Sequence, residues 1–238
     1  MAKAKIEAPT KPFAGFTPAT LRFFEDLAAN QDREWFSAHK HIYEEEVRAP
    51  LGALVEALTF AFAAHDIPIA GDAKRSLFRI HRDVRFSKDK RPYKTNAGAV
   101  LSRGGDKSTS GMVYVHVAAG DGAFMAAGFY GPGPETLAAL RQGIVRDPKR
   151  WLAVEAALAK AGLALSRDGA RVRMPRGFEA HAEMLIAEVL KLPNLIVSRP
   201  IAAPDLFRPA LVDDIAAFAR VTLPLLEFGW SALDRASS

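Results

Sequence analysis

The 238-residue sequence contains no cysteine. Disulfide bonds, thiolate metal ligands and cysteine nucleophiles are therefore excluded. No stretch approaches the roughly 18 consecutive apolar residues of a membrane-spanning helix, and the N-terminal segment lacks the apolar core of a signal peptide. We therefore expect a soluble, cytoplasmic protein with no membrane partner.

Several motifs of catalysis and nucleotide binding are also missing. The Gly-rich stretch 104–111 lacks the Lys-Ser/Thr ending and the glycine spacing of a P-loop. The sequence has no His-Glu-x-x-His, EF-hand or Gly-x-Ser-x-Gly pattern. What remains is a globular composition, with 49% hydrophobic and 25% charged residues, that can bury a substantial core.

Positive charge is concentrated in one short stretch. Residues 74–94 include nine Lys or Arg residues and two acids, a local balance of +7, whereas the whole chain carries only +5. The rest of the chain therefore sums to about −2. A pI near 9.5 favours an anionic partner without identifying it.

Within this basic stretch, residues 77–86 alternate with a period of two. One row is Phe78, Ile80, Arg82, Val84 and Phe86, and the other is Leu77, Arg79, His81, Asp83 and Arg85. An apolar face opposite an ionisable face predicts a half-buried antiparallel strand. A turn is predicted at 87–92, where polar residues precede a proline. Because Asp83 lies in the other row, we expect Arg82 to pair with a helix carboxylate such as Glu34 or Asp26.

The remaining pattern predicts an α+β fold. Three helices precede the basic strand, the first two with Thr17 and Asp32 as N-caps, and strands are predicted at 95–103, 112–117 and 123–130. We therefore predict an antiparallel β-meander of about four to six strands, with the basic strand 77–86 at its centre, packed against N-terminal and C-terminal helices. Residues 1–12 are predicted to be a flexible tail, and residues 13–235 a single domain.

The charged residues of the basic stretch form the candidate binding site. Guanidinium groups bind phosphate and carboxylate in planar, bidentate fashion, and lysines add point charge. In the strand 112–117, His116 shares a face with Tyr114 and is placed in the same candidate cleft. The candidate ligand-binding residues are Arg79, Arg82, Arg85, Lys88, Lys90, Arg91, Tyr93, Lys94 and His116.

His81 and Asp83 are the candidate catalytic residues. Side by side on a strand face, they have the chemistry of a general base with an orienting carboxylate, or of two metal ligands completed by His116. The alternative is that Asp83 is a structural counter-ion among arginines. The sequence identifies no cofactor and no metal-binding motif.

Three interpretations of function stay open. The first is a protein that binds a phosphorylated small molecule or nucleotide in a cationic cleft, with or without processing it. The second is a nucleic-acid-binding module in which the turn 88–94 contacts the backbone. The third is a structural or interaction protein whose basic cluster is neutralised internally by helix acids, namely Glu44, Glu45, Glu46, Asp213 and Asp214.

Several motifs spread along the chain are shared with one known family. They are Phe13-x-Gly15-Phe16-Thr17-Pro18, Asn30-x-x-Arg33-Glu34-Trp35-Phe36, Tyr43, Pro50, the basic stretch from Phe78 to Lys94, and Pro175-Arg176-Gly177-Phe178 with His181. On these motifs the sequence resembles the bacterial and fungal family catalogued as domain of unknown function 2461. The resemblance covers about residues 13–228 and implies a single α+β domain, without implying a particular activity. His81 departs from the family pattern, which has tyrosine there, so the resemblance does not support a mechanism that depends on this histidine.

Overall fold

The computed structural model describes residues 12–85, 88–119 and 122–237. Its fold is α+β, with a four-stranded antiparallel sheet in the order β1-β2-β3-β4. The predicted fold class and the meander are therefore confirmed. The predicted tail 1–12, except its last residue, and the Gly120-Asp121 turn lie outside the described residues, as do Phe86 and Ser87.

The sheet is built from β1 (Asn96–Ser102), β2 (Met112–Ala118), β3 (Ala123–Phe129) and β4 (Leu195–Ile201). The longer helices are α1 (Pro18–Ala29), α2 (Arg33–Ile42), α3 (Ala49–Ala64), α4 (Pro134–Arg146), α5 (Pro148–Lys160) and α8 (Leu211–Ala236). The short helices are α6 (Ala187–Leu190) and α7 (Ala203–Leu206), together with a 3-10 turn at Glu179–His181.

The chain divides into two compact units. The first lies within residues 1–109, 114–125 and 200–217, and the second within residues 110–113, 126–199 and 218–238. Phe24, Leu54 and Phe62 belong to the core of the first unit, and Leu140 and Trp151 to the core of the second. The single-domain interpretation stays a prediction.

In the first unit, α2 and α3 form one continuous helical run joined by a π-helical turn, Tyr43–Arg48. Sequence patterning predicts two helices here, because Pro50 cannot donate a backbone hydrogen bond to the carbonyl of Glu46. The buried Thr20 hydroxyl donates to that carbonyl instead, at 2.7 Å. The Glu46 carboxylate accepts a second bond, from the Thr17 hydroxyl at 2.6 Å. The π turn thus fixes α1 against the run that carries α2.

This run, Arg33–Ala64, is long and apolar enough to cross a membrane by length and composition. Of its most apolar window, 39% is buried inside the protein. Core helices of globular proteins pass the same test, so one such helix is a weak indication of a span.

The basic segment is not the central strand of the sheet, as predicted, but an irregular edge beside β1. It pairs with β1 at an isolated bridge between Leu77 and Ala99 and then turns back on itself, with a second bridge between His81 and Tyr93. The period-two alternation is nevertheless partly realised: Ile80 is buried and Arg79 and His81 are exposed. Phe78 is the exception, because this residue is 39% exposed although it belongs to the apolar row.

Candidate functional site

A concave site lies in the first unit, beside α2. Its volume is about 630 Å³. Helix α2 contributes one wall, and the hairpin in which residues 80–85 pair with residues 88–94 contributes the other. The lining residues that the structure describes are Arg33, Phe36, Ser37, Lys40, His81, Arg82, Val84, Lys90, Pro92 and Tyr93.

Local hydrogen bonds fix both walls of this cleft. Asp32 caps α2, accepting from the backbone N–H of Trp35 at 2.7 Å, as the sequence predicts. The preceding residue, Gln31, accepts through Oε1 from the backbone N–H of Tyr93 at 3.1 Å and so ties the helix start to the hairpin. The ring of Tyr93 stacks on Phe36 with centroids 4.4 Å apart. Two buried rings therefore form the floor.

The charge of the cleft is of one sign. Four cations line it, and none of the described lining residues is acidic; the cations are Arg33, Lys40, Arg82 and Lys90. The Lys90 ammonium donates to the carbonyl of Val84 at 2.9 Å, which holds it at the rim. Arg33 and Lys40 are exposed and make no ion pair within the described part of the chain.

Arg82 is half-buried and has few strong contacts. Its Nη1 lies 3.4 Å from the Asp89 carboxylate, and its Nη2 donates to the Tyr93 carbonyl at 3.5 Å. The Nε atom is buried and has no hydrogen-bond partner among the described residues. Both contacts are long for charge-assisted hydrogen bonds, so the guanidinium retains donor capacity. The predicted partners Glu34 and Asp26 are wrong, because the carboxylate comes from the turn of the same hairpin.

Two arginines of the basic stretch, Arg85 and Arg91, each form an ion pair with the aspartate two positions earlier in the sequence. Asp83 accepts from the backbone N–H and from the guanidinium of Arg85, at 3.2, 3.0 and 2.8 Å. Asp89 does the same for Arg91, at 3.1, 3.0 and 2.7 Å. The guanidinium hydrogen bonds from Arg85 lower the pKa of Asp83 to about 2, and those from Arg91 lower the pKa of Asp89 well below its ordinary value. These carboxylates stay ionised at neutral pH.

Two of the five helix acids proposed as internal counter-ions pair with cations outside the basic stretch. Glu44 pairs with Arg48 at 2.9 Å, and Asp214 lies 3.4 Å from Arg208. Glu44 and Asp214 therefore do not neutralise the basic stretch, contrary to the structural interpretation. Within the basic stretch, Arg82, Arg85 and Arg91 pair instead with Asp83 and Asp89.

The structure does not bring all the predicted ligand-binding residues together. Arg82, Lys90 and Tyr93 line the cleft, beside the candidate catalytic residue His81. Arg85 and Arg91 are paired with carboxylates, and Lys88 is exposed outside the described lining. The Lys94 ammonium lies 5.4 Å from the centroid of the exposed Phe78 ring, and the positive charge of Arg79 is close enough to help lower the pKa of Lys94.

His116 does not line the cleft but lies beside Tyr114, whose ring is edge-on to Phe78 with centroids 6.1 Å apart. Its Nδ1 is 3.0 Å from the Tyr114 hydroxyl, and its ring stacks on Phe124 with centroids 4.6 Å apart. Burial lowers the pKa of His116, which favours the neutral ring. The two-faced character predicted for β2 is confirmed, because the opposite face is buried and carries Val113, Val115 and Val117.

The two candidate catalytic residues, His81 and Asp83, contact different partners. His81 lines the cleft and lies edge-on to Phe36, with centroids 5.9 Å apart, whereas Asp83 is held by Arg85. No hydrogen bond joins His81 to Asp83 in the part of the chain that the structure describes. Over the same residues, no group of three or more His, Asp or Glu side chains is placed to hold a metal ion, so His116 does not complete a metal site with this pair.

Sequence reasoning missed the helical wall of the cleft. Arg33, Ser37 and Lys40 lie at positions i, i+4 and i+7 of α2, which is one face of a helix. That spacing is readable from the sequence and predicts a polar, cationic stripe. Its position opposite the hairpin is not readable, because it depends on contacts such as that between Gln31 and Tyr93, 62 positions apart.

Fold and site together define an α+β protein with a cation-lined cleft between a helix and an edge hairpin. A sequence profile of the family described as "Conserved hypothetical protein (DUF2461)" matches residues 19–228. The chain belongs to this family, as its motifs suggest. No curated protein matches the sequence, and no solved structure matches it.

Proposed function

We propose that the cleft between α2 and the hairpin binds a phosphorylated small molecule or a nucleotide. The observation that carries this proposal is the coincidence of a concave site with four lining cations and no described lining acid. Arg82, with its long contacts and remaining donors, is the central anion-binding group. A phosphate monoester carries a charge of about −1.5 to −2 at neutral pH and three acceptor oxygens, which matches this arrangement.

The shape of the site favours a small ligand over a nucleic-acid strand. Arg91, on the exposed turn expected to follow a nucleic-acid backbone, is neutralised by Asp89. The four lining cations are instead gathered around a hollow of about 630 Å³, within the usual size range of small-molecule sites. His81 is the catalytic candidate that can reach a ligand in this hollow. The proposal includes a cytoplasmic location, where phosphorylated metabolites are found.

The test is a thermal-shift titration of the protein against inorganic phosphate, ribose 5-phosphate, adenosine 5′-monophosphate and unphosphorylated adenosine. We expect a phosphorylated compound to raise the melting temperature by a few degrees, because a ligand that binds only the native state stabilises it. Adenosine gives no shift. If none of the phosphorylated compounds raises the melting temperature, the proposal is wrong.

A matched pair of variants separates the cleft from charge in general. Lys40→Gln with Lys90→Gln removes two lining cations, and Arg85→Gln with Arg91→Gln removes two paired cations from the same stretch. The net charge falls equally in both. We expect the thermal shift to be lost in the first variant and kept in the second. An equal loss in both would indicate a diffuse electrostatic effect and contradict binding in the cleft.

A further inference from the structure

A second cationic cluster lies next to the cleft, around the exposed ring of Phe78. The ammonium groups of Lys94 and Lys107 are 5.4 and 5.5 Å from the centroid of this ring. Lys107 also donates to the carbonyl of Leu77 at 2.8 Å, which anchors its long side chain over the patch. Two ammonium groups thus lie beside the ring of a single residue that is 39% exposed.

Like charges dominate the surroundings of Lys94. Its pKa is lowered by burial and then by the positive charges of Arg79, Arg82 and Lys107. None of Arg79, Lys94 and Lys107 makes an ion pair with an acid of the described ranges. The positive charge of Arg79 helps lower the pKa of the nearby Asp83, but the Asp83 carboxylate forms its ion pair with Arg85. Mutual repulsion of this kind is relieved by an anion that contacts several of the cations together.

The hairpin connects this cluster to the cleft. Arg82 donates its backbone N–H to the carbonyl of Pro92 at 2.8 Å, and Lys94 donates its own to the carbonyl of Ile80 at 2.9 Å, so Arg82 and Lys94 are diagonal neighbours across an antiparallel pair. Side chains in this relation lie on one face, with their Cα atoms roughly 7 to 8 Å apart. Arg82 therefore borders both groups of cations, and positive potential is continuous from one to the other.

We infer that Lys94, Lys107 and Arg79 form a subsite for a second phosphoryl group, so that the ligand of the cleft is a diphosphate or bisphosphate rather than a monophosphate. This inference rests on the proposed function of the cleft. It follows from charge as well as position: one phosphate monoester is matched by about two cations, whereas the two clusters together hold seven and share Arg82 as a bridge.

The experiment compares three ligands that differ only in their phosphates: adenosine 5′-monophosphate, adenosine 5′-diphosphate and adenosine 3′,5′-bisphosphate. Affinities are measured by isothermal titration calorimetry. We expect the diphosphate or the bisphosphate to bind the parent protein at least roughly tenfold more tightly than the monophosphate, which corresponds to one additional set of charge-assisted hydrogen bonds. A larger gain in affinity for the diphosphate would indicate that the two phosphoryl groups bind next to each other, and a larger gain for the bisphosphate that they bind apart.

The double variant Lys94→Gln with Lys107→Gln tests whether these two lysines form the subsite. This variant is expected to lose the tenfold gain and to keep its affinity for the monophosphate within about threefold, because the cleft cations are intact. Lys94→Arg with Lys107→Arg retains the charges and is expected to keep the gain. Arg85→Gln with Arg91→Gln serves as the control for net charge and keeps it as well.

The two proposals fail differently. If the monophosphate binds and the second phosphate adds nothing, the subsite is wrong and the cleft stands. If the gain survives in the Lys94 and Lys107 glutamine variant, the second phosphate is bound elsewhere and the subsite is also wrong. If none of the three ligands binds, both the subsite and the proposed function fail.

Discussion

Two sets of cations in the same region differ in whether a neighbouring carboxylate neutralises them. Arg85 and Arg91 each face an aspartate two residues earlier in the chain, whereas Lys40 and Lys90 line a cleft without a described lining acid. The first set contributes to the local charge count of the sequence but not to free positive potential. The comparison teaches that the anion-binding capacity of a basic motif depends on the cations left over after local pairing.

The two pairs are built alike, which explains why they form so readily. Each is an Asp-x-Arg sequence in which the aspartate accepts hydrogen bonds from the backbone N–H and from the guanidinium of the arginine two residues later. Such turns are favoured by the aspartate side chain itself. The pairing is therefore local and independent of the rest of the fold.

The largest expected effect follows from removing the cation that belongs to neither set. Arg82 lies in the cleft and is only loosely held by Asp89, at 3.4 Å. Loss of a charged hydrogen-bond donor costs about 1.5 to 3 kcal/mol of binding free energy, so Arg82→Gln is expected to weaken phosphate-ligand binding roughly 10- to 100-fold. Calorimetric titration measures it, with Arg91→Gln as the matched control. An equal loss in the control would break the distinction between the loosely held cation of the cleft and the tightly paired one outside it.

Arg141, in the second unit, extends the comparison to a buried cation. It is 7% exposed and donates to the carbonyl of Leu192 at 3.0 Å, and its pKa is lowered by burial and by Arg171. Arg141→Met leaves that carbonyl without its donor, and relief from burying a charge offsets part of the cost. We expect a loss of about 1 kcal/mol in the free energy of unfolding by urea titration, with ligand affinity unchanged. A loss of ligand affinity instead would show that Arg141 is not solely structural.

Releasing paired charge is expected to have the opposite effect on binding from removing free charge. Asp89→Asn frees both Arg82 and Arg91 from their carboxylate. We expect ligand affinity to rise roughly three- to tenfold, because one more unit of positive charge acts at the cleft. Titration at low and high salt checks the cause, since the gain shrinks as salt screens it. An affinity that falls would mean that Asp89 positions Arg82 for binding rather than competing for it.

Much of the fold could be predicted from the sequence because its signals are local. Thr17 and Asp32 cap helices as their side chains suggest, and the alternation of valines with Tyr114 and His116 identifies the two faces of β2. The Asp-x-Arg pairs are equally local and readable. The continuous run through Pro50 is not, because it depends on Thr20 donating to a carbonyl 26 residues away.

The candidate site could be predicted only in part. The hairpin wall, with His81, Arg82, Lys90 and Tyr93, comes from the basic motif itself. The helical wall depends on the long-range packing of Phe36 against Tyr93, which no period in the sequence reveals. The predicted central strand is an irregular edge because its hydrogen bonds to β1 stop after residue 78 and the chain pairs with itself instead.

The smallest expected effect concerns the stability that the Asp83–Arg85 pair adds. The pKa of Asp83 is lowered to about 2 in the folded protein, from an unfolded value of about 3.9. The pair therefore stabilises the folded state fully above about pH 4, and this contribution disappears as the pH falls through about 2. Because the pair is exposed, Asp83→Asn is expected to lower the melting temperature by no more than roughly 2 °C at about pH 7. Parallel melts of parent and variant should converge between about pH 4 and 2, and a difference that persists at the lower end would mean that Asp83 stabilises the turn by backbone hydrogen bonding rather than by charge.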